Sequence, residues 1–204
     1  MSKRLYVAYG SNLNIRQMKY RCPGAKLYGT GVIDNYELQF KGQPHGAFAT
    51  ITPKEGASVP VAVWEISKQN EQALDRYEGY PSHYFKRNVP VQLQLNGEEI
   101  NAMVYIMNLK MDFGLPSPHY YQTVYEGYND CELDTDVLDE AVKDSAQKFY
   151  RGYGRSSQQQ TLFDMDDDED FAYEQEDYDE DEPTEDEPKM DETDPFYFSE
   201  GMHL

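Results

Sequence analysis

The chain has 204 residues and a formal charge of -20, yet 20 of its 38 acidic side chains and only three of its 18 basic ones lie from Arg151 onward, which leaves -17 there and -3 in the first 150 residues. The first 150 residues can therefore bury roughly two thirds of their unfolded surface in one core, and Cys22 and Cys131 are too few for a disulfide framework and lack metal-ligand spacing with histidine. No run approaches the ~20 apolar residues of a membrane helix, the start lacks the apolar stretch of a signal peptide, and the acidic tail repels nucleic acid, so the expectation is a soluble cytoplasmic protein with no membrane and no nucleic-acid partner.

Residues 4 to 9 (Arg-Leu-Tyr-Val-Ala-Tyr) are aromatic and β-branched and stop at Gly10-Ser11-Asn12, which predicts a strand ending in a turn. A helix follows, capped by Asn12 or Asn14, with Ile15, Met18 and Lys19 at i, i+3, i+4 spacing and a stop at Pro23-Gly24. Lys26 to Val32, Tyr36 to Lys41, Phe48 to Thr52 and Val59 to Ile66 read as short strands separated by glycine and proline. Ser67 to Tyr77 predicts a helix with Ser67 as N-cap and Gly79 as its stop. Phe85 to Leu95 and Glu98 to Met107 form a hairpin across Asn96-Gly97, a pair that favours a type I′ turn. After Pro116-Ser117-Pro118 come two helices, 119 to 129 with apolar Tyr121, Val124 and Tyr125, and 135 to 150 with Val137, Leu138, Ala141 and Val142. Strands followed by helices predict an α+β domain over 1–150. Residues 151–204 form an acidic low-complexity tail, too poor in apolar surface from about residue 156 to fold alone.

Two places carry chemistry. The strand-to-helix turn at Gly10, Ser11 and Asn12 presents unpaired main-chain N–H groups at a helix N-terminus, a setting that holds anions; the alternative is a capped turn with no ligand. Glu78 sits at the expected C-terminal end of a helix, where exposed carbonyls disfavour negative charge. Enclosure by Tyr77, Tyr80, Tyr84 and Phe85 would raise its pKa further, towards a carboxyl that exchanges protons near neutrality; the alternative is a solvent-exposed glutamate. Ser11 fits a nucleophile poorly, because the esterase elbow needs glycine on both sides and no relay is marked out among His45, His83, His119 and His203. Most of the 18 tyrosines read as aromatic core.

Val7-Ala8-Tyr9-Gly10-Ser11-Asn12-Leu13, Arg21-Cys22-Pro23, Leu74-Asp75-Arg76-Tyr77-Glu78-Gly79-Tyr80 and Pro116-Ser117-Pro118-His119-Tyr120 together resemble the ordered landmarks of the γ-glutamyl cyclotransferase-like family, over roughly residues 4 to 145. The resemblance implies a small mixed β-barrel with flanking helices and a cavity at one end. It implies that Tyr9, Gly10, Ser11, Asn12 and Leu13 hold a glutamyl head group, that Tyr84 and Tyr120 line the pocket, and that Glu78 is the acid/base. The implied reaction turns a small γ-glutamyl amino acid or γ-glutamyl amine into 5-oxoproline, with no cofactor and no metal. The rival reading is a ligand-sensing or adaptor protein on the same barrel, recruiting a partner through the tail. Within that tail, Gln159-Gln160-Thr161-Leu162-Phe163 resembles short peptides that dock on bacterial sliding clamps, which makes 159–163 a candidate partner contact.

Overall fold

A computed structural model of the protein describes residues 3–108 and 110–157, with side chains through Gly152. Residues 158–204, including the 159–163 peptide, lie outside the described residues. Strands β1 (Arg4–Ala8), β2 (Lys26–Gln43), β3 (Gly46–Ile66), β4 (Tyr84–Leu93) and β5 (Glu99–Met107) close into a barrel in the order β1-β3-β2-β4-β5. All pairings are antiparallel except β1 with β5, where Tyr6 lies opposite Met103 and Val7 opposite Val104. Helices α1 (Ile15–Arg21), α2 (Lys68–Tyr77), α3 (Pro118–Asp130) and α4 (Asp136–Ser157) flank the barrel, which makes the fold α+β. Among the described residues no helix is long and apolar enough to cross a membrane.

The four short strands expected between residues 26 and 66 are two long ones. β2 and β3 pair from Lys26 opposite Glu65 to Gln43 opposite Gly46, and the glycine and proline signals within them are absorbed rather than ending a strand. Asn35 shows how, because its φ of 61° sits at a register shift between Asp34 and Tyr36, where it alone stands opposite the four β3 residues 54–57 and the ladder resumes beyond it. The turn after β4 is also not type I′. That turn needs both central residues at positive φ, and here Gly97 alone is there, at 68°, in a four-residue connection closed by Gly97 N–H to the Leu93 carbonyl at 2.9 Å.

Burial follows the pattern of the barrel wall. β4 buries Val89, Val91 and Leu93 and exposes Asn88, Pro90 and Gln92, a period of two with one face solvated. β1 and β5 are covered on both faces, so Tyr6, Val7 and Ala8 are all buried, as is every residue from Ala102 to Met107. Helix α4 runs to Ser157, beyond the expected end at 150, and meets the barrel through buried Leu138, Ala141 and Ser145; the Ser145 hydroxyl accepts the Phe40 N–H at 2.9 Å. On α1 Met18 is buried and Lys19 is exposed, so Lys19 belongs to the solvated side of that helix.

Helix α3 turns Val124, Gly127 and Tyr128 inward, while Tyr121 and Tyr125 stack on each other at its margin with ring centroids 6.1 Å apart. Gly127 lets this helix touch the turn after β1. A Cβ there would lie 2.5 Å from the Asn14 backbone nitrogen and 2.6 Å from Leu13 Cβ. Gly127→Ala should therefore lower stability by roughly 3 kcal/mol, near the upper part of the usual overpacking range, seen as a lower urea midpoint. An unchanged midpoint would show that α3 backs away from the turn without cost.

Candidate active site

After β1 the chain makes a single 3-10 turn, Ser11–Leu13, and α1 starts only at Ile15. Asn14, not Asn12, caps α1, its side-chain oxygen accepting the Gln17 N–H at 3.0 Å. That division of labour frees the Asn12 side chain. The amides of Ser11 and Asn12 lead the 3-10 turn, where geometry provides no intrahelical acceptor. Gly10 precedes them in close quarters, because a Cβ would meet the Tyr120 hydroxyl at 3.1 Å and Ala49 Cβ at 3.2 Å.

Glu78 reaches the same place from the end of α2. Helix α2 opens with a reciprocal cap between Ser67 and Asn70 and closes at Glu78, where the Gly79 N–H bonds to the Arg76 carbonyl at 3.3 Å and the Tyr80 N–H to the Asp75 carbonyl at 2.9 Å. This paired closure, with Gly79 at a φ of +61°, is a Schellman end that reverses the chain at Glu78. The Asn12 side-chain NH2 donates to Glu78 Oε1 at 3.1 Å and to the Tyr6 hydroxyl at 2.8 Å. On its far side Asn12 Oδ1 accepts from Arg21 Nη1 at 2.7 Å. Arg21 Nη1 also donates to Ser11 Oγ at 3.0 Å, and the guanidinium lies 3.8 Å above the centre of the Tyr77 ring.

Burial pushes the Glu78 carboxyl up to about 7, against the pull of the Arg21 charge and the Asn12 hydrogen bond. Glu78 as a residue is half-buried, so a path to solvent remains although its carboxyl lies deep among protein atoms. Of the four expected enclosing neighbours, Tyr77 and Tyr84 are buried within reach of the Glu78 charge and the other two are not. Tyr80 is 42% exposed and Phe85 36%, because the chain turns outward after Gly79 and Tyr80 ends up over the Lys86 ammonium. Tyr6, Tyr9 and Tyr120, remote in sequence, complete the enclosure. Burial raises the hydroxyls of Tyr6, Tyr9, Tyr84 and Tyr120 well above the ordinary tyrosine range, and the Glu78 charge adds to each shift.

The expected site residues fall into three groups. Asn12 and Glu78 touch directly, with Ser11 joined to Asn12 through Arg21. Tyr84 and Tyr120 bracket one residue, the Tyr84 hydroxyl donating to the Ala49 carbonyl at 3.3 Å and the Tyr120 oxygen accepting the Ala49 N–H at 3.2 Å. Tyr9 is buried with its hydroxyl donating to the Tyr105 carbonyl at 2.7 Å, and Leu13 is fully buried, its carbonyl receiving the Cys131 thiol at 3.4 Å. Leu13 thus offers main chain, not side chain, to anything bound at the turn. Sequence reasoning missed Arg21 and Tyr6 as parts of the site. An arginine in the last turn of a helix reads as dipole compensation, and no local spacing reveals that its partner ring belongs to Tyr77. Among the described residues no group of three or more His, Cys, Asp or Glu side chains is placed to hold a metal.

Residues 6–127 match the family model described as γ-glutamyl cyclotransferase, AIG2-like. The γ-glutamylcyclotransferase of Bos taurus is 33% identical over 134 residues, covering 60% of this chain and 69% of the relative, and that of Homo sapiens is 33% identical over 131 residues with the same coverage. A solved γ-glutamyl cyclotransferase structure superposes with a TM-score of 0.63 at 30% identity, over 69% of this chain and 86% of its own. The matched span contains β1, the 3-10 turn, Arg21 and Glu78 together, and the chain belongs to the γ-glutamyl cyclotransferase, AIG2-like family, with cyclotransferase as its enzyme class.

Proposed function

We propose that the protein converts a small γ-glutamyl amino acid or γ-glutamyl amine into 5-oxoproline and a free amine, with Glu78 as general acid and base. The observation that carries this is the 3.1 Å contact between the Asn12 side chain and Glu78, which joins a carboxyl pushed up to about 7 to a residue of the 3-10 turn. The glutamyl head group sits on that turn, held by Ser11, Asn12 and the main chain of Gly10 and Leu13, with Tyr9, Tyr84 and Tyr120 as walls. The catalytic domain is residues 1–150, and 151–204 is an acidic appendage with a candidate protein contact at 159–163. Cytoplasm is the location such small substrates suit.

In this reading the Glu78 carboxylate takes a proton from the substrate α-ammonium. The freed amine attacks the γ-carbonyl carbon, forming the lactam C–N bond while the carbonyl electron pair moves onto oxygen, towards the turn amides. When the pair returns, the original C–N bond breaks and Glu78 passes its proton to the leaving nitrogen. The ring nitrogen loses its second proton by the same route, so the amine departs as an ammonium and the enzyme ends as it began.

Glu78→Gln should lower turnover by about 10² to 10⁴, the usual worth of a general acid/base, in an assay that follows 5-oxoproline from γ-glutamyl amino acids and γ-glutamyl amines. Undiminished turnover would remove Glu78 from the mechanism. The parent enzyme should gain kcat/KM as pH rises through about 7, where the base form appears.

The same burial weakens the fold. Between the ordinary value of 4.5 and about 7, the unfolded chain has lost its proton while the folded chain keeps it, so stability falls as pH rises through that window and levels off above it. A shift of this size corresponds to at most about 3 kcal/mol, and water reaching the half-buried residue reduces it to roughly 2 kcal/mol. Glu78→Gln should then match the parent near pH 4 and exceed it at pH 8 in urea unfolding. Equal midpoints at both values would mean that the carboxyl ionises in the folded state at no cost.

A further inference from the structure

We propose that Arg21 is a positioning residue for the base: seated on the Tyr77 ring, its guanidinium fixes the Asn12 carboxamide with its amino group towards Glu78 and keeps that carboxyl in the proton-accepting form. The inference rests on the acid/base role proposed for Glu78. Its geometry rests on donors and acceptors alone. Arginine has only donors, so the Asn12 group 2.7 Å from Arg21 Nη1 must be the oxygen. The two Asn12 amino hydrogens are then committed, one to the Tyr6 hydroxyl at 2.8 Å and one to Glu78 Oε1 at 3.1 Å. An amide turned the other way would set an N–H donor against the guanidinium and an oxygen against a carboxylate. Arg21 thereby decides that Glu78 meets a donor, which favours its ionised form.

The rest of the surroundings contribute no competing charge. From β1, the residue after it and the end of α1, Glu78 acts on Tyr6, Tyr9 and Cys22. From α2, β4, β5 and α3 it acts on Tyr77, Tyr84, Tyr105 and Tyr120. Burial raises every one of these groups, so all are neutral at the pH where Glu78 titrates, and Arg21 is the cation that acts on it among the described residues. The seat of the guanidinium is prepared in turn: it lies 3.8 Å above Tyr77, and its Nε is buried without a hydrogen-bond partner in the protein. Its Nη1 donates to both Ser11 and Asn12.

The test measures the titration of Glu78 directly, from the carboxyl ¹³C resonance that disappears in Glu78→Gln, beside the pH profile of kcat/KM. In Arg21→Met the Glu78 midpoint and the acid limb should both rise by about one unit or more, the ordinary effect of removing an adjacent opposite charge. The loss of kcat/KM should be largest at low pH and shrink above the new midpoint, whereas mere structural damage lowers the rate at every pH. Arg21→Lys, which keeps the charge, should bring the midpoint back towards the parent. An unmoved Glu78 midpoint in Arg21→Met overturns the inference while leaving the acid/base role standing. Full activity in Glu78→Gln removes that role, and the carboxyl titration still judges the link to Arg21. Should Arg21→Met not fold, the unmodified protein suffices: the Asn12 side-chain amide resonances should move through the Glu78 midpoint, and their failure to move overturns the inference.

Discussion

The arrangement at the end of the barrel depends on one carboxyl group being held where water solvates it poorly and no full ion pair forms. Glu78 closes α2, and the reversal through Gly79 aims its side chain at Asn12 rather than at solvent. A carboxylate in direct contact with a guanidinium would be held low, and one in bulk water would stay near its ordinary value. Interposing an amide between Arg21 and Glu78 yields something between these limits, a carboxyl pushed up to about 7. The barrel is what makes that interposition possible. Parallel closure of β1 on β5 brings the end of β1 to the mouth of the barrel, and α2, docked over Tyr105 through the Asp75 carboxylate at 2.6 Å, brings Glu78 to the same mouth.

Local signals were legible where a single side chain decides a backbone state. Ser67 caps α2 and Gly79 ends it, each as the sequence indicates. Strand ends between residues 26 and 66 were not legible, because Gly31, Gly42, Pro53 and Pro60 all lie inside paired strands and their turn preference is overridden by the ladder. The type of turn at Asn96-Gly97 was misread for a related reason: the dipeptide permits two left-handed residues, but the loop length selects one. The site was legible in its parts and not in its assembly. Gly10, Asn12 and Glu78 stand out in sequence, yet 66 positions separate Asn12 from Glu78, and only the closed barrel brings them together.

The tyrosines illustrate a second limit of pattern reading. They read as core, and Tyr6 and Tyr9 are core while Tyr84 and Tyr120 pack against it. The hydroxyls of Tyr9, Tyr84 and Tyr120 also bond to main-chain atoms, at the Tyr105 carbonyl and on both sides of Ala49. A wall of this kind is polar without carrying charge near neutral pH, since burial keeps each phenol protonated. Hydrophobicity patterning cannot separate such a wall from an inert core, because the distinction lies in where one oxygen points. On the proposed reading the wall lets a zwitterionic glutamyl group enter with only Arg21 and Glu78 as charged neighbours.

On the proposed reading, an intramolecular reaction explains why the site holds so little machinery. Ser11 is the one hydroxyl in the turn that could suggest covalent catalysis, but its oxygen accepts from Arg21, which lowers its nucleophilicity instead of raising it. If the attacking amine and the carbonyl belong to the same molecule, no protein nucleophile is required. Holding such a pair in reacting geometry supplies effective molarities of about 10⁵ to 10⁸ M, or roughly 7 to 11 kcal/mol of the barrier. What the enzyme must add is a grip on the head group and a group that moves protons near neutrality. A buried glutamate is unfavourable for the fold, and on the proposed reading its place at the end of α2 exchanges stability for reactivity.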